Sequence, residues 1–159
     1  MRLQEVDIMI KRKETSERKA PKVAHKNPAL KSPVLLILED FDEIRAFLSR
    51  HFMAHDFDVF SASTVRDALA IAWEESPQVV IVDYDLTSEN ALRAIERIRI
   101  AAPESYIVLI GGANTESLFA GASEIGASKV ISKVYALNEM DEILGNALKQ
   151  QRSEKQATS

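Results

Sequence analysis

The sequence predicts a doubly wound parallel α/β sheet, on three observations. Short continuous apolar runs recur along the chain. Each is followed by apolar residues at helical spacing. The alternation repeats five times within about 115 residues, which favours an open sheet wound by helices over a TIM barrel with its eight strand–helix pairs.

The first run is Val34-Leu35-Leu36-Ile37-Leu38, and the stripe after it is Ile44, Phe47, Leu48 and Phe52. Asp58-Val59-Phe60-Ser61 alternates apolar and polar, as an edge strand does, and precedes Val65, Ala68, Leu69, Ala72 and Trp73. Val79-Val80-Ile81-Val82 leads to Leu92, Ile95 and Ile98, and Ile107-Val108-Leu109-Ile110 leads to Leu118, Ala122 and Ile125. The fifth pair is Val130-Ile131 with Met140, Ile143, Leu144, Ala147 and Leu148. Runs without alternation suit strands covered on both faces. Ser63-Thr64, Ser88, Asn114-Thr115 and Asn138 are the expected helix starts, the last with Asp141 three residues on.

Composition narrows the function classes. The chain has 159 residues, 46% hydrophobic and 28% charged, an ordinary balance for one globular domain. It has no cysteine, which excludes disulfide frameworks, thiolate metal sites and cysteine nucleophiles. Three histidines, at 25, 51 and 55, argue against a multi-histidine zinc site. His51, His55, Asp56 and Asp58 are read as solvated residues around the end of the first helix. No apolar run is long enough to span a membrane, and no secretory h-region follows Met1, so a cytoplasmic location is expected.

Charge is unevenly spread. Residues 1–32 carry nine Lys/Arg against four Asp/Glu, residues 33–150 nine against nineteen, and residues 151–159 two against one. The expected organisation is a basic, mostly disordered arm over 1–32, one domain over 33–150 and a polar tail over 151–159, too short for an output domain. The arm is the one segment suited to an anionic partner such as nucleic acid, although a charge run is more often a solvated extension.

Chemistry concentrates where the strands end. The first βα turn, Glu39-Asp40-Phe41-Asp42-Glu43, has no glycine and is acidic, which argues against a dinucleotide or P-loop site. In an open α/β sheet, ligands bind outside the carboxyl ends of the strands. Those ends carry Glu39-Asp40, then Asp83 with Asp85 two residues on, then Gly111-Gly112, then Ser132-Lys133. With the first and third strands adjacent, three carboxylates meet, and such a cluster calls for a hard cation such as Mg²⁺. Asp83 is the candidate nucleophile, forming an aspartyl-phosphate, with Asp40 and Asp83 holding the metal and Lys133 binding a phosphoryl oxygen.

The segments 34–40, 77–83 and 126–133 together resemble the receiver domain of two-component response regulators. The resemblance implies strand order 2-1-3-4-5 and a flavodoxin-like (CheY-like) three-layer sandwich. It implies phosphorylation of Asp83 by a histidine kinase or histidine phosphotransfer protein. It places Glu39 and Asp40 in the Mg²⁺ pocket, assigns the backbone carbonyl of Asp85 to the metal, and assigns the ammonium of Lys133 to the phosphoryl group. With only the short polar tail after residue 150, a stand-alone receiver that acts by docking to a downstream protein is expected; the resemblance implies the fourth-helix face as a candidate interface for a partner or a homodimer. Its own catalysis would be limited to self-phosphotransfer and autodephosphorylation.

The chain departs from the family at three positions. Gly111 stands where the family has Thr or Ser, Val130 where it often has Tyr or Phe, and Val134 where a cis proline follows the Lys. The first two are the usual switch residues, so an atypical switch is expected. A cis bond without proline costs about 3 kcal/mol, so a trans bond or an altered loop is expected there. Two other readings follow from the same residues. A receiver-like module could dock its partner without phosphorylation. Alternatively, Asp83-Tyr84-Asp85-Leu86-Thr87 resembles the first motif of haloacid dehalogenase-type phosphatases, although that motif usually opens its fold and the paired downstream acids are missing.

Overall fold

The computed structural model describes residues 31–112, 115–132 and 136–158. Five strands alternate with five helices: β1 (Val34–Leu38), α1 (Asp42–Ala54), β2 (Asp58–Ala62), α2 (Val65–Glu75), β3 (Val79–Asp83), α3 (Ala91–Ala101), β4 (Tyr106–Gly111), α4 (Thr115–Glu124), β5 (Lys129–Ser132) and α5 (Ala136–Ala157). The sheet is parallel throughout, in the order β2-β1-β3-β4-β5. This is the doubly wound flavodoxin-like, CheY-like sandwich expected from the sequence.

The side-chain period of a strand divides the core in two. Leu35 and Ile37 of β1, Val79 and Ile81 of β3, Val108 and Ile110 of β4 and Ile131 of β5 face one side. There they pack under Ile44, Leu48 and Phe52 of α1 and Met140 and Leu144 of α5. The intervening residues Leu36, Leu38, Val80, Val82, Ile107, Leu109 and Val130 face α2, α3 and α4. Every residue of β3 is buried, which accounts for its unbroken apolar run up to Asp83. β2 lies at the sheet edge and is covered less: Asp58 and Ser61 are exposed, Val59 and Phe60 half-buried and Ala62 buried, without the expected alternation.

One expected helix start holds and other local expectations change. Thr64 caps α2, its hydroxyl accepting the Asp67 N–H at 3.2 Å. The cap of α3 is Asn90 rather than Ser88, its side-chain oxygen accepting from the Leu92 and Arg93 N–H groups. Both Ser and Asn suit the position, but only Asn90 abuts the first helical residue. Asn138 lies inside α5, which begins at Ala136. Trp73 is 73% exposed. Val65, Ala68 and Ala72 form the buried face of α2, and Trp73 sits about 100° further round. Helix α5 also continues through 151–157, where Arg152, Lys155, Gln156 and Ala157 all favour helix. Residues 1–30 of the arm over 1–32, with Asn114, Lys133, Val134 and Tyr135, lie outside the described residues.

Arg99, in the last turn of α3, ties the end of the sheet away from the acidic turns. Its guanidinium donates to the carbonyls of Pro103 (2.8 Å), Ser105 (2.7 Å) and Gly126 (2.5 Å). Burial holds its pKa below the ordinary value, the expected sign for a desolvated cation. Gly126 has φ of 112°, and a Cβ there would come within 3.0 Å of Arg99 Nε. Glycine meets both constraints at this turn. Arg99→Met would keep the aliphatic stem but leave these carbonyls without their donor. The expected cost is about 2 kcal/mol, read as a fall in Tm of several degrees.

Candidate functional site

The acidic residues meet where the strand order reverses. β1 and β3 are neighbours, with Leu38 level with Val82, so one further step along each strand brings Glu39 beside Asp83. Asp83 continues the Val79–Ile81 face of β3 and is 2% exposed, as is Glu39. Asp40 follows in the turn and is partly exposed. One carboxylate oxygen from each of Glu39, Asp40 and Asp83 lies within 4.8 Å of the others.

Backbone and side-chain donors orient these oxygens. Glu39 Oε1 accepts the Phe41 N–H at 2.9 Å, and Asp83 Oδ1 accepts the Asp85 N–H at 3.2 Å. The Tyr84 N–H donates to the Ile110 carbonyl at 2.8 Å, which anchors the turn after β3 to β4. Asp40 Oδ2 accepts two bonds from Thr87, from the backbone N–H at 2.7 Å and the hydroxyl at 2.5 Å. Thr87 therefore pins the turn after β3 to the turn after β1. Arg45 donates to the Glu39 carbonyl at 3.0 Å and pairs with Asp42, so its charge serves the helix start.

The donor set fits a hard divalent cation. Three carboxylates, two of them buried, converge with only oxygen atoms to offer, and their mutual repulsion favours a positive charge between them. Asp85 is exposed, its N–H turned to Asp83. Gly111 closes β4 opposite Ser132 of β5, and Val130 is buried in the core beneath α4. Lys133 follows directly on Ser132 but lies outside the described residues.

Thr87 is the contact that sequence reading missed. The sequence does single it out, but as the last residue of a phosphatase-like motif. Its actual partner is 47 positions away, and only the β1–β3 adjacency brings the two together. Of the two histidines read as solvated, His55 is exposed as expected and His51 is not. His51 is 4% exposed and bonds Asp141 of α5, so it is a buried residue and not a solvated one.

The pattern of the response regulator receiver domain matches residues 35–145. The chain belongs to the response regulator receiver family. The aerobic respiration control protein ArcA of Escherichia coli is 31% identical over 111 residues, 70% of this chain and 46% of its own length. The photosynthetic apparatus regulatory protein RegA of Rhodobacter capsulatus is 27% identical over 110 residues, 69% of this chain and 60% of its own length. The match to the regulatory protein AtoC of Escherichia coli covers 26% of that protein, so the chain spans a quarter to under two thirds of these relatives.

Solved structures agree on the fold. The receiver domain of a LuxO repressor protein from Vibrio parahaemolyticus has a TM-score of 0.71 at 19% identity, over 82% of this chain and 99% of that one. A response regulator from Burkholderia pseudomallei, solved with a phosphorylated aspartic acid, a calcium ion and citrate, has a TM-score of 0.64 at 22% identity, over 80% of this chain and 75% of that one. Among the described residues, no helix is long and apolar enough to cross a membrane.

Proposed function

We propose that this receiver domain accepts a phosphoryl group on Asp83 from a phosphohistidine of a histidine kinase or phosphotransfer protein, and passes the signal on by docking to a downstream protein. The observation that carries the reading is the convergence of Glu39, Asp40 and Asp83 at the β1–β3 switch point. One oxygen of Asp83 attacks phosphorus. An O–P bond forms as the P–N bond of the phosphohistidine breaks, and the imidazole leaves with the bonding pair. The Asp85 N–H fixes Asp83 Oδ1, which presents the carboxylate in one orientation. Glu39 and Asp40, with Asp83 and the Asp85 carbonyl, would hold Mg²⁺, which supplies the positive charge that phosphoryl oxygens require. Lys133, next after Ser132 in the sequence, would give a second positive charge to the phosphoryl group. The calcium ion and phosphorylated aspartate of the Burkholderia relative support the same chemistry here.

Thr87 acts on this site through Asp40. Thr87→Val removes the hydroxyl bond and should weaken Mg²⁺ binding about tenfold, the usual scale for a group that orients a metal ligand. A magnesium titration followed by the Asp85 amide resonance checks it.

A second reading is favoured by the two switch positions. Gly111 offers no hydroxyl to a phosphoryl oxygen, and Val130 is a short, buried, β-branched side chain with no aromatic ring to reorient. A module of this kind would dock without phosphorylation. Intact mass after incubation with acetyl phosphate and Mg²⁺ separates the two. A phosphoryl-sized gain supports the phosphoacceptor, whereas no gain, with a histidine kinase also failing as donor, supports constitutive docking.

A further inference from the structure

The described residues hold one more group of potential metal ligands apart from the acidic pocket: His51, His55 and Asp141, each with a ligand atom within 4.8 Å of the others. His51 and His55 are four residues apart on α1 and so share a face. Asp141 comes from α5, which packs beside α1 on the same side of the sheet. His51 is nine residues along α1 from Asp42, about 13 Å down the helix axis, which separates this cluster from the acidic turns.

Proton positions at this cluster are constrained. His55 Nδ1 lies 2.7 Å from the His51 backbone carbonyl. A carbonyl can only accept, so Nδ1 carries the proton and Nε2 of the neutral ring presents a lone pair. That Nε2 faces Asp141 Oδ2 at 3.5 Å, while His51 Nε2 faces Asp141 Oδ1 at 2.8 Å. When that nitrogen is bare its lone pair faces those of the carboxylate, and a cation between them, whether a proton or a metal ion, relieves the repulsion. The bond from the far ring nitrogen to a backbone carbonyl is also the arrangement that orients metal-binding histidines. Ligands of a tetrahedral zinc ion stand about 3.4 Å apart, as follows from bonds of about 2.1 Å. The His55 distance of 3.5 Å already matches, whereas the 2.8 Å hydrogen bond from His51 to Asp141 would open by about 0.6 Å to admit the ion.

We propose that His51, His55 and Asp141 form a site for a divalent transition-metal ion, zinc by preference, that clamps α1 to α5. Imidazole nitrogens suit zinc, copper and nickel far better than magnesium, so the ion differs from the one the acidic pocket would take. The small number of histidines argued against such a site. The i, i+4 spacing on α1 and a carboxylate from a distant helix supply three ligands all the same, and water would complete a fourth position. His51 is buried among the core residues of this face, next to Phe52, while His55 is 45% exposed, so the site has a rigid ligand and an open side.

The test uses the full chain in excess Mg²⁺, which occupies the acidic pocket, with Co²⁺ as a coloured probe and Zn²⁺ as competitor. The expected result is one equivalent of Co²⁺ with the intense visible absorption of a tetrahedral site, displaced by one equivalent of Zn²⁺. Zn²⁺ should also raise the Tm. His55→Gln and Asp141→Asn, both at partly exposed positions, should each weaken Zn²⁺ binding at least tenfold and remove most of the Tm shift. Asp83→Asn should leave binding unchanged, so a failed phosphoacceptor reading would not count against this site. Absence of the absorption in the unaltered chain overturns the proposal. So does Zn²⁺ binding that persists at the same affinity in both His55→Gln and Asp141→Asn.

Discussion

Asp83→Asn is expected to reduce phosphoryl uptake from acetyl phosphate to background while leaving the fold intact. The amide has nearly the shape of the carboxylate, so the packing at the end of β3 is preserved. Its oxygen, however, lacks the charge needed to attack phosphorus. A second effect follows from crowding. Glu39, Asp40 and Asp83 bring three carboxylates within 4.8 Å, two of them buried, and removing one charge relieves part of the repulsion. In Mg²⁺-free solution the variant should be more stable than the parent by about 1–2 kcal/mol. The gain should shrink as Mg²⁺ is added, because the cation already offsets the repulsion in the parent. Intact mass and urea denaturation, each with and without Mg²⁺, check both effects. A phosphoryl adduct that persists in Asp83→Asn would place the acceptor elsewhere.

Phe52→Ala is expected to cost about 3–5 kcal/mol, the largest stability loss of the substitutions considered. Phe52 is fully buried, and its ring meets Phe57 edge-on with centroids 5.9 Å apart and His51 at 4.9 Å. It is the largest fully buried side chain that α1 sends into the core shared with β1, β3 and α5. Truncation removes an aromatic ring from a site walled by β-strands that cannot move inward, so much of the cavity remains. Against a typical total of about 5–15 kcal/mol, that loss would leave the domain marginal. The urea midpoint should fall by a third or more with little change in slope. Phe52→Leu, which keeps more of the volume, should cost less than half as much.

Legibility of the fold and of the site followed the range of the interactions. Strands covered on both faces leave unbroken apolar runs, so β1, β3 and β4 could be read directly, and the edge position of β2 showed in its mixture of polar and apolar residues, although its burial does not alternate. The carboxylates at strand ends were legible too, because a parallel sheet puts all its carboxyl ends on one side. The hidden contacts join residues far apart in sequence. Asp40 meets Thr87, and His51 meets Asp141 across 90 positions. No local pattern marks such pairs. Trp73 failed for a geometric reason, since an apolar residue one step beyond a helical stripe points about 100° away from it. Asn90 displaced Ser88 as the cap because two good capping residues stood within one turn.

Helix α5 is out of proportion to the layer it belongs to. Its 22 residues span about 33 Å, whereas the 13 residues of α1 span about 20 Å. Met140, Leu144 and Ala147 seat its first half, and Arg152, Ser153, Gln156 and Ala157 in its second half are exposed. The helix is thus a lever whose pivot lies in the core. Asp141 sits near that pivot, 16 residues or about 24 Å from Ala157. A tilt of about 10° there, small enough for side chains to absorb, would sweep the tip through about 4 Å. Modest repacking between α1 and α5 is therefore magnified at the far end of the helix, with no refolding anywhere in the sheet.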